Sequence, residues 1–169
     1  MEIKRMIKTG LVQRAAAEGI PVMQVQQSVQ TLSDAYVGPD WYRIGNVTAQ
    51  ALVDKCGAGT SGKIVVVEGA TAASALILMK PGIEELVAQH PEITIASSQA
   101  ADRDATKAFA IAATVLQQNP DLRGIAGFWD VADTGTAGAI REAGFEGKVA
   151  PATSGGGSRD AGCAKVGVR

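Results

Sequence analysis

The sequence predicts an α/β protein with three layers, in which helices cover both faces of a mostly parallel sheet. The strongest signal is the run KIVVVE at 63–68, which is continuous, apolar and rich in β-branched residues. Such a run indicates a strand buried on both faces, and strands of that kind belong to parallel sheets. Further short apolar runs alternate with longer amphipathic segments, which predicts βαβ units with right-handed crossovers. The 169 residues suffice for one domain with a substantial core.

The first part of the chain predicts a helix, a short strand and a second helix. Apolar residues recur at helical spacing along 3–18, and Gly19 stands where that helix is expected to end. The segment 22–25 has the pattern of a strand. After a polar stretch, an extended piece at 35–38 precedes a helix over about 41–55.

The remainder of the chain predicts further strands and helices in alternation. The strands are expected at 93–96, 124–128 and 148–152, and the helices at 81–89, 103–118 and 133–143. Residues 72–79 also have helical spacing, but Pro81 would then lie inside a continuous helix. Proline removes a backbone donor there and clashes with the preceding turn. Two interpretations follow: the helix is kinked at Pro81, or it begins there.

Charge and composition argue against several classes of function. The 16 basic and 17 acidic residues give a formal net charge of −1, so no electrostatic signal favours nucleic acid or an anionic membrane. The sequence has no run of about 18 apolar residues, so no transmembrane helix is expected. The basic N-terminus lacks an apolar core, so no signal peptide is predicted and the chain as written is expected in the cytoplasm. Cys56 and Cys163 lack CxxC spacing, which predicts free thiols rather than a metal site.

Four stretches, taken in their order and spacing, resemble the type 1 periplasmic binding proteins of the ribose- and galactose-binding kind. They are AAAEGIPVMQV at 15–25, YVGPDWYRIG at 36–45, GKIVVVEGATAASA at 62–75 and NPDLRGIAGFWDVADTGTAGAIREAG at 119–144. The resemblance implies a Rossmann- or flavodoxin-like lobe, a periplasmic-binding-protein-like fold and a sugar as ligand. It also implies that full-length relatives are periplasmic and partner the permease of an ABC transporter.

The resemblance also implies how the chain is divided. Residues 1–34 resemble the last helix and strand of the family's N-terminal lobe, and 35–154 resemble its C-terminal lobe. Residues 155–169 do not resemble the family and are expected to form a disordered tail. The family closes two lobes over its sugar, so a chain truncated to mainly one lobe is expected to bind sugar weakly or not at all. Apolar surface without its parent sheet predicts a homodimer, with the N-terminal helix and strand exchanged between protomers.

The candidate ligand site lies beyond the carboxyl ends of the parallel strands, where open α/β sheets bind ligands. The residues expected to bind the sugar there are Glu68, Thr71, Ser74, Arg103, Trp129, Asp130 and Thr153. By the resemblance, Asp130 matches an aspartate of the family, whereas Trp129 replaces an asparagine. Thr153 replaces an aspartate, and Arg103 replaces an aromatic stacking residue. Ile77 stands where the family has an arginine, so the site has the family's shape without its pentose-binding set.

A second interpretation, from a different class, is a small metal-dependent hydrolase of the phosphoester type. In this interpretation a carboxylate cluster at the same edge, alone or enclosed by a dimer interface, holds Mg²⁺, Mn²⁺ or Zn²⁺. The bound metal ion then activates a water molecule. The predicted metal ligands are Asp102, Asp104, Asp130 and Asp133. The sequence has no HExxH, GxSxG or P-loop motif, and no catalytic residue is assigned. The sugar-binding interpretation expects no cofactor.

Simpler roles are open for the same residues. Asp130 and Asp133 are alternatively caps of the helix near 133, because Asp favours helix N-termini. Asp102 and Asp104 are alternatively caps of the helix near 105. Trp129 either stacks on a sugar ring or covers an apolar part of the edge.

Overall fold

The computed structural model describes residues 2–26, 33–56, 59–69 and 74–154. In chain order, the helices and strands of these ranges are α1 (Glu2–Ala17), β1 (Met23–Val25), β2 (Ala35–Val37), α2 (Trp41–Cys56), β3 (Lys63–Glu68), α3 (Ser74–Ala88), β4 (Thr94–Ala100), α4 (Ala105–Gln118), β5 (Gly124–Gly127), α5 (Asp130–Glu142) and β6 (Ala150–Ala152). The predicted tail at 155–169 lies outside the described residues. None of the described helices is long and apolar enough to cross a membrane.

The main sheet has four parallel strands in the order β4-β3-β5-β6, and β1 and β2 form a separate parallel pair. Along β3, Ile64 and Val66 face the layer of α2 and α3, whereas Val65 and Val67 face the layer of α4 and α5. All four side chains are almost completely buried. This burial on both faces explains the continuous apolar run, and the predicted three-layer α/β fold is confirmed.

The helix α3 runs without a break from Ser74 to Ala88, with Pro81 inside it. The interpretation that a helix begins at Pro81 is therefore wrong. Met79 and Ile83 lie on either side of the proline, and both are buried in the core beneath α2. Packing of these two side chains maintains the helix through a position where the sequence alone indicates an interruption, because burial outweighs the hydrogen bond that proline cannot donate.

The strand β4 extends to Ala100, beyond the predicted end at 96. Its later part is polar, and Ser97 and Ser98 pair with β3 after a shift in register. An edge strand needs apolar side chains on one face only, so the apolar run underestimates its length. The helix α4 begins at Ala105 and α5 begins at Asp130, earlier than the predicted start near 133.

Apolar side chains of α1 and of the β1–β2 pair lie at the surface. We call this surface the N-terminal apolar face; its members, each more than half exposed, are Leu11, Ile20, Met23, Val25 and Val37. The opposite side of β1 carries Gln24, which is buried and donates a 2.9 Å hydrogen bond to the hydroxyl of Ser33. Residues that usually belong to a core are therefore accessible along this face.

Candidate functional site

The carboxyl ends of β3, β4, β5 and β6 lie along one edge of the main sheet, because all four strands are parallel. We call this edge the rim. Five of the seven predicted ligand residues end or follow these strands: Glu68, Arg103, Trp129, Asp130 and Thr153. Thr71 lies outside the described residues. Ser74 is the first residue of α3, and its side chain is not among the parts that the structure describes. The rim therefore gathers most of the predicted set, whose role in binding stays a prediction.

Trp129 is at the centre of the rim and contacts another aromatic ring and a cation. The guanidinium carbon of Arg103 lies 4.3 Å from the centroid of the indole ring. The ring of Trp41 packs against Trp129 at 5.9 Å between centroids, with the planes tilted by 49°. Trp129 also contacts the apolar cores on both sides of the sheet. These contacts support the interpretation that Trp129 covers the apolar rim; stacking on a sugar stays a prediction.

The backbone before α4 brings Arg103 to this position through an unusual conformation. Asp102 and Arg103 have φ angles of 54° and 65°, in the left-handed region that residues with a side chain rarely occupy. Each such residue costs on the order of 1 kcal/mol or more. Asp104 then caps α4 by accepting hydrogen bonds from the backbone N–H groups of Thr106 and Lys107. The predicted cap role of Asp104 is confirmed.

Trp41 connects the rim to the β1–β2 pair. Its indole N–H donates a 3.1 Å hydrogen bond to the carbonyl of Gln26, directly after β1. The hydroxyl of Tyr36 donates to the same carbonyl at 3.2 Å. Trp41 was not among the predicted site residues, because it begins a helix remote from the predicted strand ends. Only the fold places it against Trp129.

Glu68 is buried at the end of β3, with 7% of its surface exposed. Its carboxylate forms a 2.8 Å ion pair with Lys80 of α3 and accepts a hydrogen bond from the hydroxyl of Ser98 on β4. The hydrogen bond to Glu68 raises the pKa of Lys80 above its usual value. Glu68 thus links three elements below the rim, and its predicted contact with a ligand stays a prediction. Lys80 and Ser98 were not selected from the sequence.

The four carboxylates of the metal hypothesis have separate roles. Asp104 caps α4, and Asp102 forms a 2.5 Å ion pair with Lys107 rather than a cap. Asp130 lies inside the first turn of α5, where its carboxylate accepts a hydrogen bond from the N–H of Val131. Within the described ranges, no three His, Cys, Asp or Glu side chains converge on a point that could hold a metal ion. The predicted metal cluster does not form, because these contacts direct the carboxylates to different partners.

Asp133 and two hydroxyls join the end of β6 to its neighbours. Asp133 is buried in α5 and accepts a 2.5 Å hydrogen bond from the hydroxyl of Thr153. It is not a cap as predicted, since α5 begins before it. The hydroxyl of Ser154 donates a 2.8 Å hydrogen bond to the carbonyl of Phe128. Ser154 was expected at the rim together with Thr153, but it was not among the predicted ligand residues.

Cys56 is free and buried on the inner side of α2. Burial raises the pKa of its thiol to about 11. Its sulfur lies 3.1 Å from the carbonyl oxygen of Arg123. The prediction of a free thiol holds for Cys56, and Cys163 lies outside the described residues.

Known proteins share this fold. The family described as periplasmic binding protein domain matches residues 7–166. The D-allose-binding periplasmic protein of Escherichia coli K12 is 33% identical over 116 residues, which are 69% of this chain and 37% of that protein. A solved ABC transporter periplasmic solute binding protein from Actinobacillus succinogenes, with bound D-allose, has a TM-score of 0.72 and 27% identity over 83% of this chain and 52% of its own.

A second solved structure leads to the same result. It is an ABC transporter solute binding protein from Agrobacterium vitis bound with α-D-tagatopyranose, with a TM-score of 0.72 and 29% identity, and the match covers 86% of this chain and 53% of that one. The chain thus spans about half the length of these solved relatives and less of the E. coli protein. The matched segment contains all four strands of the rim. The chain therefore belongs to the type 1 sugar-binding family of periplasmic binding proteins, as the resemblance of its sequence predicted.

Proposed function

We propose that this chain binds a monosaccharide at the rim, as a solute-binding component of an ABC transporter. The observation that carries the proposal is the rim itself. Four parallel strands end on one edge, and indole, guanidinium, carboxylate and hydroxyl groups follow them. The same fold is found in relatives whose structures contain D-allose and α-D-tagatopyranose. The periplasm is the compartment that the names of the relatives indicate.

We expect this binding to be weak. The described rim would contact a sugar from one side, so the described residues by themselves offer it a limited number of hydrogen bonds. Association costs about 4–15 kcal/mol in lost translational and rotational freedom before any net affinity appears. We therefore expect a dissociation constant near the millimolar range, which corresponds to about −4 kcal/mol.

The N-terminal apolar face supports a further part of the proposal, a homodimer. Five large apolar side chains lie exposed on α1, on the segment between α1 and β1, and on the β1–β2 pair. Burying them against a second copy would remove apolar surface from water, at a gain of about 25 cal/mol per Å². We propose that α1 and β1 are exchanged between the two protomers, in line with the division predicted at residues 34 and 35.

Thermal unfolding with matched sugar enantiomers tests the monosaccharide proposal. Sugars stabilise proteins nonspecifically because they are excluded from the surface, so the L-enantiomer is the control for the D-sugar. At about ten times the dissociation constant, a specific ligand adds about 1.4 kcal/mol of stability. For a chain of this size, that gain raises Tm by about 3–6 °C. Equal shifts with both enantiomers of allose, galactose, ribose and tagatose would contradict the proposal.

A further inference from the structure

We propose that Arg103 selects a monosaccharide that carries a carboxylate, so that the ligand class of the rim is a sugar acid such as a uronate. The inference rests on the function proposed above and names the chemical class that the same site takes. Among the described residues, three cationic side chains occur along or directly below the rim, on α3, before α4 and in the first turn of α4.

Two of these three cations are neutralised by a carboxylate of the chain. Lys80 pairs with Glu68 at 2.8 Å, and Lys107 pairs with Asp102 at 2.5 Å. Arg103 forms no ion pair with any carboxylate that the structure describes. The described part of the rim therefore presents one cation whose charge is available to a ligand.

Contact with the ring of Trp129 positions the guanidinium of Arg103 and leaves its N–H groups free to donate hydrogen bonds. The guanidinium lies 4.3 Å above the indole ring, an attraction that acts through the ring face. Arginine has five N–H donors in a planar fork, and contact with a ring face leaves them available. The indole is itself held between the two cores and Trp41. Arg103 thus presents a preorganised fork, the geometry that binds a carboxylate through two parallel hydrogen bonds.

The backbone at this point gives a second, independent reason to assign a function to Arg103. Two consecutive residues with side chains, Asp102 and Arg103, adopt positive φ angles. Unfavourable backbone of this kind persists where the surrounding structure imposes it, and it concentrates at ligand sites. Here it directs Arg103 towards Trp129 instead of into α4.

The carboxylates that remain near the rim are engaged by other groups. Asp104 accepts two backbone N–H groups at the start of α4, and Asp130 accepts one at the start of α5. Asp133 is buried and accepts the hydroxyl of Thr153. The positive end of a helix dipole compensates the negative charge of an aspartate at the helix N-terminus. These aspartates therefore do not neutralise Arg103, and its charge remains available to a ligand. A neutral sugar would leave it unpaired, which is the physical basis of the selectivity.

Calorimetric titration of the whole chain with D-galactose and D-galacturonate tests this inference, since the two sugars differ in one carboxylate. A charge-assisted pair predicts that the uronate binds about 10- to 100-fold more tightly. The substitution Arg103→Gln should reduce that ratio to about one, and Arg103→Lys should retain part of it, because the charge remains and the fork is lost. The matched control is Arg141→Gln, which removes a cation paired with Glu146 at the far end of α5.

Salt and fluorescence add readouts that a purely structural role would not change. The uronate's advantage should fall with ionic strength in the parent and in Arg103→Lys, but not in Arg103→Gln. The two tryptophans of the chain, Trp41 and Trp129, pack against each other, and Arg103 lies over the ring of Trp129. Uronate binding should therefore change the intrinsic tryptophan fluorescence of the parent. If Arg103→Gln does not fold, the parent and Arg103→Lys test the inference instead. For each protein the readouts are the ratio of the galactose and galacturonate dissociation constants and the dependence of that ratio on salt.

The outcomes separate the two proposals. If neither neutral nor acidic sugars bind, the proposed function fails and the inference fails with it. If D-galactose or another neutral sugar binds as tightly as its uronate, the inference alone is overturned. It is overturned as well if Arg103→Gln keeps the full preference for the uronate.

Discussion

Replacing Gly45 with alanine should destabilise the protein, because α2 and α3 leave no room for a side chain where they cross. A Cβ at Gly45 would lie 2.2 Å from the carbonyl oxygen of Met79. Ordinary van der Waals contact begins at 3.4 Å, so the two helices would have to separate by about 1.2 Å. The obstructing atoms are backbone and cannot rotate aside, so the cost should approach the upper end of the ~1–3 kcal/mol range for overpacking.

The net effect follows from a second, opposing contribution. Alanine is a better helix former than glycine by about 1 kcal/mol, which offsets part of the overpacking. We therefore expect a net loss of about 2 kcal/mol in the free energy of unfolding, which lowers Tm by about 4–8 °C. Urea denaturation followed by circular dichroism measures the loss directly, as a lower midpoint at an unchanged m-value.

A matched substitution on another helix provides the control. At Gly138 of α5, a Cβ would meet the ring of Phe109 no closer than 3.5 Å, which is ordinary contact. Gly138→Ala should therefore raise the free energy of unfolding by about 0.5–1 kcal/mol through helix propensity alone. Gly82→Ala should behave like Gly45→Ala, since its Cβ would lie 2.3 Å from the carbonyl oxygen of Tyr42. If Gly45→Ala and Gly138→Ala shift the midpoint in the same direction, the described approach of α2 and α3 is wrong.

Three further predictions concern the thiol, the Lys80–Glu68 ion pair and the N-terminal apolar face. In a Cys163→Ser background, Cys56 should resist thiol reagents at pH 8 until the protein unfolds, because a pKa of about 11 leaves about one thiol in a thousand ionised; rapid labelling of the folded protein would contradict this. The pKa of Lys80 is raised by Glu68, so the stability it contributes is present below the ordinary value of 10.5 and is lost as the pH rises through the raised value. The urea midpoint should accordingly fall more steeply above about pH 10.5 in the parent than in Glu68→Gln, and parallel pH profiles would refute the coupling. Light scattering should show a dimer for the parent and a monomer for a Met23→Lys variant, whereas a monomeric parent would contradict the proposed association.

The architecture, the approximate positions of most described helices and strands, and the family could be predicted from the amino-acid sequence alone. Its strongest signal, the apolar run at 63–68, works because a strand buried on both faces requires apolar residues on both. The rim could also be predicted, since parallel strands end on one side and the residues after them must lie together. Asp104 was predicted as a cap because the interaction involves neighbouring residues only.

The contacts of the remaining rim side chains could not be predicted, because they join residues that are distant in sequence. Ser98 reaches Glu68 from a strand 30 positions away in the chain, and Trp41 meets Trp129 although neither lies near the other in sequence. The continuity of α3 through Pro81 likewise depends on the close approach of α2, which no local pattern encodes. The physical reason is common to all three: periodicity and capping act within a few residues, whereas packing, ion pairs and ring contacts depend on distances that the folded chain alone sets.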